Sequence, residues 1–146
     1  AQKAGGYLTL ADVHARMGDG ELTGTGVEID SAITLKVERS PGFPCSSPVV
    51  EKTKHVEPEE EWLTSGRGVD WEESVKIAWS EMVALIADQY DTTAEYANLI
   101  VGTIADARPG YSAGGMNQRG QRESKYVTCQ LAVTKELRRT GQPYKA

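Results

Sequence analysis

The chain has little of what marks several common classes of protein. Its 146 residues include two cysteines, Cys45 and Cys129, which are too few and too far apart for a disulfide framework or a cysteine-rich metal site. We interpret both as free thiols. No apolar run approaches the ~20 residues that a membrane-spanning helix needs, and the first residues lack the charged-then-apolar layout of a signal peptide. We therefore expect a cytoplasmic protein that does not enter the membrane.

A surplus of positive charge is also missing. The formal net charge is −5, and no basic stripe with interleaved aromatic residues occurs. Because nucleic acids are bound largely through their phosphate charges, this composition argues against a polynucleotide partner. The 39% apolar and 25% charged residues are the balance of an ordinary globular domain, and the length suffices for one hydrophobic core.

Residues that can do chemistry concentrate near the start of the chain, where a histidine, several carboxylates and closely spaced glycines occur together. Residues 6–14 read as a strand, and period-two alternation puts Asp12 and His14 on the same face. The glycines that follow permit left-handed backbone conformations, so Asp19 and Glu21 can turn back toward the same point. This pattern predicts a convergent site.

Two interpretations of this site remain open from the residues alone. One imidazole and three carboxylates suit zinc or, with more oxygen ligands, calcium. Neighbouring carboxylates repel each other, and a bound cation or a raised carboxyl pKa relieves that repulsion. The alternative is a hairpin turn rich in glycine and aspartate, with a solvated histidine and no metal.

Three short motifs resemble the central signature of the acetamidase/formamidase family. They are GYLTLADVHA at residues 6–15, GDGE at residues 18–21 and GTGVE at residues 24–28. Their order and spacing follow a pattern that reads approximately GDxHAxxGDGE followed by GTxxE, with Ala11 where many members carry glycine. The similarity extends to residues 48–51 and to a glycine-containing segment at residues 114–116.

This resemblance implies an amidase that hydrolyses the C–N bond of formamide, acetamide or a similar small amide to a carboxylate and ammonia. The residues fit a mechanism in which a divalent ion is held by Asp12, His14 and Asp19, with zinc preferred and calcium as the alternative. Glu21 would act as general base toward a metal-activated water, and Glu28 is the reserve for either carboxylate role.

A second candidate site lies at residues 106–117. Its glycines, Gly114 and Gly115, allow backbone N–H groups to face a ligand, and Arg108 or Asn117 can bind a carbonyl or carboxylate. We expect Gly114, Gly115 and Asn117 to bind the substrate. The alternative is an ordinary connection between two elements. For Cys45, a nucleophilic role has no nearby histidine in sequence to support it.

Members of the family are about twice as long as this chain, which resembles their C-terminal half. We therefore expect an N-terminal half that lies on another chain or has been removed, and self-association into a homo-oligomer. The alternative function is a non-catalytic metal-binding or ligand-binding subunit that completes a partner chain.

The β-rich part of the sequence is predicted to end near residue 66. Residues 27–37 alternate as a long strand with one apolar face, and residues 49–56 form a shorter strand. The acidic run at residues 57–61 is expected to be a solvated loop or the start of a helix. Residues 64–68, which contain two glycines, are expected to form a turn.

The remainder is predicted to be mainly helical. Asp70 and Glu73 form a capping box that starts an amphipathic helix, and Thr92 with Glu95 repeats the pattern for a second helix. Residues 125–134 alternate again and predict a final strand with Cys129 on its apolar face.

These elements predict a mixed α+β fold. Residues 1–66 would be a β-rich, sandwich-like portion that carries the His/Asp/Glu site, and residues 67–146 a two-helix α/β portion with a returning strand. Both portions are expected to form one structural unit, completed by the N-terminal half.

Overall fold

The structure, a computed structural model, describes residues 7–18, 20–21, 24–38, 42–53, 60–110 and 126–135. These residues form two helices and two antiparallel sheets, which confirms the mixed α+β class. The smaller sheet pairs β1 (His14–Arg16) with β2 (Val27–Glu28). The larger sheet has the order β3 (Val50–Lys52), β4 (Glu61–Gly68), β6 (Val127–Thr134) and β5 (Asp106–Pro109). The helices are α1 (Trp71–Tyr90) and α2 (Ala94–Ile104).

The hydrophobic core lies between the larger sheet and the helices. Alternate residues of β4 and β6 face the helices, because side chains of a strand point to opposite faces in turn. The core residues are Trp62, Cys129, Leu131 and Val133 from the strands and Ala78, Met82, Leu85, Ile86, Ala97 and Val101 from the helices. The predicted final strand, with Cys129 on its apolar face, is therefore confirmed.

Helix α1 begins at the predicted cap. The Asp70 carboxylate accepts a hydrogen bond from the Glu73 backbone N–H at 2.8 Å, which satisfies one of the unpaired donors of the first turn. The Glu73 carboxylate accepts in return from the Val69 backbone N–H at 2.7 Å. These bonds fix the direction in which the chain leaves β4. Neither helix of the described residues is long and apolar enough to span a membrane.

The cap of α2 lies one residue later than the sequence predicted. Thr93, rather than Thr92, accepts from the Tyr96 backbone N–H. Thr92 instead belongs to the C-terminal end of α1. Asp91 has the left-handed conformation, and the Thr92 N–H donates to the Ala87 carbonyl at 3.0 Å.

The prediction of a turn at residues 64–68 is wrong, because these residues belong to β4 and pair with β6 along their whole length. The two glycines serve a different purpose. A Cβ atom on Gly66 would lie 2.0 Å from the Ser74 carbonyl oxygen, and one on Gly68 would lie 2.6 Å from the Ser74 backbone nitrogen. Glycine is required here because α1 packs directly on the strand backbone.

The long strands predicted near the start of the chain are much shorter in the structure. The first is limited to His14–Arg16, since Asp12 has a φ of 62° and leaves the extended conformation. The second covers only Val27–Glu28, and within the described residues no strand pairs with residues 29–38. Residues 50–52 confirm part of the strand expected at residues 49–56; residues 54–59 lie outside the described part.

We predict opposite effects of alanine at two glycines. Gly66→Ala should lower the free energy of unfolding by about 3 kcal/mol, because the backbone of α1 leaves no room for a methyl group. Gly102→Ala should raise it by about 0.5–1 kcal/mol, because its Cβ would only touch the Trp79 ring at 3.8 Å and alanine favours the helix. Urea denaturation measures both changes, and equal stability of the two variants would contradict the packing described here.

Candidate metal centre

Three possible metal ligands meet where the smaller sheet begins. The register places His14 of β1 directly opposite Glu28 of β2, and the His14 Nε2 atom lies 2.9 Å from the Glu28 Oε1 atom. The Asp12 Oδ1 atom lies 3.5 Å from the same nitrogen. One ligand atom from each side chain can be chosen so that all three lie within 4.8 Å of one another. This separation is compatible with a shared ion.

The backbone around His14 holds its ring in place. The side chain of His14 is only 9% exposed, although it lies at the edge of a two-stranded sheet. A Cβ atom at Gly26 would lie 2.6 Å from the His14 Cγ atom and 2.7 Å from its Nδ1 atom. The imidazole therefore stacks on a backbone surface that only glycine provides, with its Nε2 atom directed at the two carboxylates.

Asp12 reaches this point through a bend in the backbone. Its φ of 62° is uncommon for a residue other than glycine, and aspartate tolerates this conformation better than most residues. The carboxylates of Asp12 and Glu28 are 77% and 70% exposed, in contrast to the enclosed imidazole. The cluster is therefore open to a small molecule on its carboxylate side.

The donor set fits a divalent ion. Imidazole nitrogen and carboxylate oxygen atoms both serve as zinc ligands, and catalytic zinc sites use three protein ligands with one position left for water or substrate. Calcium would need several further oxygen ligands, such as carbonyls or waters. The cluster could hold a divalent ion, and its geometry does not identify which one.

Of the other predicted site residues that the structure describes, only Glu28 belongs to this cluster. Glu21 has a φ of 43° and belongs to a turn in which its N–H donates to the Gly18 carbonyl at 3.0 Å. Its carboxylate does not join the described cluster of three ligands. Glu28, which was expected to be a catalytic residue in reserve, lies in the cluster of three possible ligands. The remaining predicted residues, Asp19, Gly114, Gly115 and Asn117, lie outside the described residues.

Arg108 is held by a buried partner rather than directed at a ligand. Its guanidinium donates to both carboxylate oxygens of Glu61, at 2.7 and 3.0 Å, across the larger sheet. Lys52 lies 3.3 Å from the same carboxylate. Hydrogen bonding to Arg108 holds the pKa of Glu61 below its ordinary value, against the opposing effect of burial. The expectation that Glu61 is solvated within an acidic run is wrong, because cross-strand cations pair with it.

A second buried carboxylate was missed. Glu81 lies within the apolar stripe of α1 and accepts from the Ser46 backbone N–H at 2.8 Å and from the Ser46 hydroxyl. The Cys45 thiol donates to the Glu81 carbonyl at 3.4 Å. Burial, followed by the negative charge of Glu81, raises the pKa of Cys45 to about 11. A thiol with this pKa is protonated at neutral pH, so a nucleophilic role for Cys45 is not supported.

We predict that Gly26→Ala weakens zinc binding by at least tenfold, because the added methyl group must displace the His14 ring. Gly18→Ala is the matched control, since no atom lies within 4 Å of its added Cβ. Isothermal titration calorimetry with zinc measures both affinities. Equal affinities for the two variants would show that the position of the imidazole on Gly26 is unimportant.

We also predict that Glu61→Gln lowers the free energy of unfolding by an amount that depends on pH. The variant should be about 2 kcal/mol less stable at pH 7, because Arg108 loses a charged acceptor. A carboxylate with a lowered folded-state pKa stabilises the fold above its unfolded pKa, near 4.5, and this contribution disappears as the pH falls through the folded-state value. Urea denaturation from pH 7 to pH 3 should therefore show the two proteins converging at the acidic end. A constant difference would contradict the assigned role.

No protein family, curated protein or solved structure matches the chain in comparisons of its sequence and structure. The functional interpretation therefore rests on the geometry of the three candidate ligands and on the motif resemblance described above.

Proposed function

We propose that the chain supplies the metal centre of an amidase that hydrolyses small linear amides, such as formamide or acetamide, to a carboxylate and ammonia. The observation that carries the proposal is the meeting of Asp12, His14 and Glu28 at one point, with a glycine backbone supporting the imidazole. The resemblance to the acetamidase/formamidase signature supplies the reaction and the class of substrate.

Each residue of the site has a distinct task in this proposal. His14 and the carboxylates of Asp12 and Glu28 would hold the ion, and the motif resemblance adds Asp19 as a further candidate ligand. A divalent ion held there, with zinc preferred, would supply Lewis-acid chemistry that lowers the pKa of bound water and polarises the amide carbonyl. Glu21 accepts the proton of the attacking water and returns it to the departing amine, so that ammonia leaves as a neutral molecule.

Substrate binding is assigned to the segment near the end of the chain. Gly114 and Gly115 would present backbone N–H groups to the developing negative charge on the amide oxygen, and the Asn117 side chain would orient the amide. This assignment rests on the motif resemblance, since the described residues do not include the segment.

The exposure of the site supports a composite enzyme. Two carboxylates that are 70% or more exposed do not exclude water from a reaction, whereas hydrolytic sites usually lie in enclosed clefts. We infer that a second polypeptide, corresponding to the N-terminal half of the family, covers them. The two free cysteines agree with a cytoplasmic setting, where thiols stay reduced.

The competing function is a metal-binding subunit without catalysis. The same exposure favours it, since an open site with three ligands can bind an ion without activating a substrate. The two functions differ in the need for a proton acceptor, because only the enzyme requires Glu21.

The decisive experiment measures zinc affinity and ammonia release on the same preparation, with and without the polypeptides that purify with it. His14→Ala should weaken zinc binding by at least 100-fold and abolish metal-dependent ammonia release, because it removes the central ligand. Glu21→Gln should keep the zinc affinity and lower the rate by about 10²–10⁴-fold.

Glu72→Gln is the control for removing a carboxylate, because Glu72 lies on the exposed face of α1 and forms an ion pair with Lys76, away from the candidate ligands. Zinc binding without ammonia release under any condition would favour the non-catalytic subunit. Failure of the parent chain to bind zinc would overturn both functions.

A further inference from the structure

Residues 27–37 expose an unusual amount of apolar surface for so short a segment. Every described residue from position 27 to position 38 is classed as exposed, including five large aliphatic side chains at alternate positions. They are Val27, Ile29, Ile33, Leu35 and Val37, which are between 49% and 88% exposed. Continuous exposed apolar surface of this kind commonly marks a protein interface.

The polar positions of the same segment carry an asymmetric charge pattern. Glu28 and Asp30 lie toward its beginning, whereas Lys36 lies toward its end. Lys36 has an ion pair with Glu38 at 2.5 Å, but both side chains are at least 67% exposed, so this pair contributes little stability. A segment that is negative at one end and positive at the other is complementary to a reversed copy of itself.

We propose that residues 27–37 pair with the same segment of a second copy of the chain, as antiparallel strands related by a two-fold axis at Ala32. In this register Glu28 lies opposite Lys36 of the second copy, and the symmetry repeats the pair. Two kinds of apolar pair form as well, Val27 opposite Val37 and Ile29 opposite Leu35, while Ile33 lies opposite Ser31. Cross-strand pairs of these kinds stabilise antiparallel sheets.

Other registers are less favourable for reasons visible in the sequence. Moving the axis from Ala32 to Ile33 would place Asp30 opposite Lys36 but also Glu28 opposite Glu38. Moving it to Ser31 would place Lys36 opposite Gly26, so that no cross-strand ion pair forms. An axis between two residues would pair odd-numbered positions with even-numbered ones. Because the large apolar side chains are at odd positions and the charged ones at even positions, apolar side chains would then lie opposite charged ones. A parallel, in-register pair would align Glu28 with Glu28 and Lys36 with Lys36. The axis at Ala32 forms an opposite-charge pair without setting like charges opposite each other.

The backbone also has room for this pairing. Among the described residues, Val27–Glu28 pairs with β1 along one edge only, and residues 29–38 pair with no strand. Antiparallel pairing with a second copy would satisfy backbone N–H and C=O groups along the segment. It would join two β1–β2 hairpins into a four-stranded sheet, with a His14 site on each side of the axis. The interface shares Glu28 with the proposed metal centre, and dimerisation can be measured in the absence of a metal.

The register can be tested with single cysteines in a Cys45→Ser background, using the full chain. Ala32→Cys should form a disulfide between two copies under mild oxidation, because residues on the axis have Cβ atoms about 4.5–5.5 Å apart. Thr34→Cys is the matched control, since its two copies would be separated by about four residues, or ~13 Å, along the strand. Non-reducing electrophoresis and intact mass measure the cross-linked fraction. Equal cross-linking of both variants, or none of Ala32→Cys, would overturn the proposal.

A second measurement does not depend on oxidation. Lys36→Glu should raise the dissociation constant of the dimer by about tenfold, because it replaces two opposite-charge pairs by like-charge pairs. Glu38→Gln removes the same ion pair within the chain and should leave the dimer unchanged. Sedimentation velocity gives both constants, and circular dichroism checks that each variant is folded. A parent chain that is monomeric at 100 µM concentration, or one whose segment is covered by a different polypeptide, would contradict the proposed interface.

Discussion

The close approach of α1 to β4 is the contact on which the rest of the fold depends. Gly66 and Gly68 remove two side chains from the strand, and the backbone of α1 fills that space. At this distance Thr64 can donate to the Ala78 carbonyl at 2.8 Å, and the apolar residues of the helix reach the centre of the sheet. The large core then stabilises β6 and α2, and through Glu81 it also holds the loop that contains Ser46. A methyl group added at Gly66 or Gly68 would therefore disturb the packing of the whole core, not only one turn of α1.

The candidate metal centre has a different physical basis. It lies on a two-stranded sheet, and such sheets are marginally stable when they stand alone. Its order comes from local features instead: the left-handed backbone at Asp12, the glycine under the His14 ring, and the cross-strand contact with Glu28. Local features of this kind can hold three ligands together but do not exclude water from them. The core and the candidate site are thus stabilised by different residues and different interactions.

The different origins of the core and of the candidate site explain which features could be predicted from the sequence. Helix α1 was predictable because its cap and apolar spacing are local signals. The role of Gly66 was not, since the need for glycine arises from a helix that packs on it from a later part of the chain. Asp12 and His14 were predicted to converge by strand alternation, but they converge through a bend at Asp12. Glu61 and Glu81 looked like ordinary charges, although Glu81 falls between Ala78 and Leu85 in the buried stripe, a spacing that could have identified it.

Glu28 connects the two proposals through the backbone. Its side chain contacts His14, while its strand continues into the exposed apolar segment at residues 29–37. Ordering a segment costs conformational entropy, so any interaction that fixes the strand lowers the entropy cost of holding Glu28 beside His14. Metal binding and pairing of residues 27–37 would then favour each other, and by thermodynamic linkage the effect must be equal in both directions. An exposed site on a small sheet can in this way acquire, on assembly, the rigidity that its own sheet does not provide.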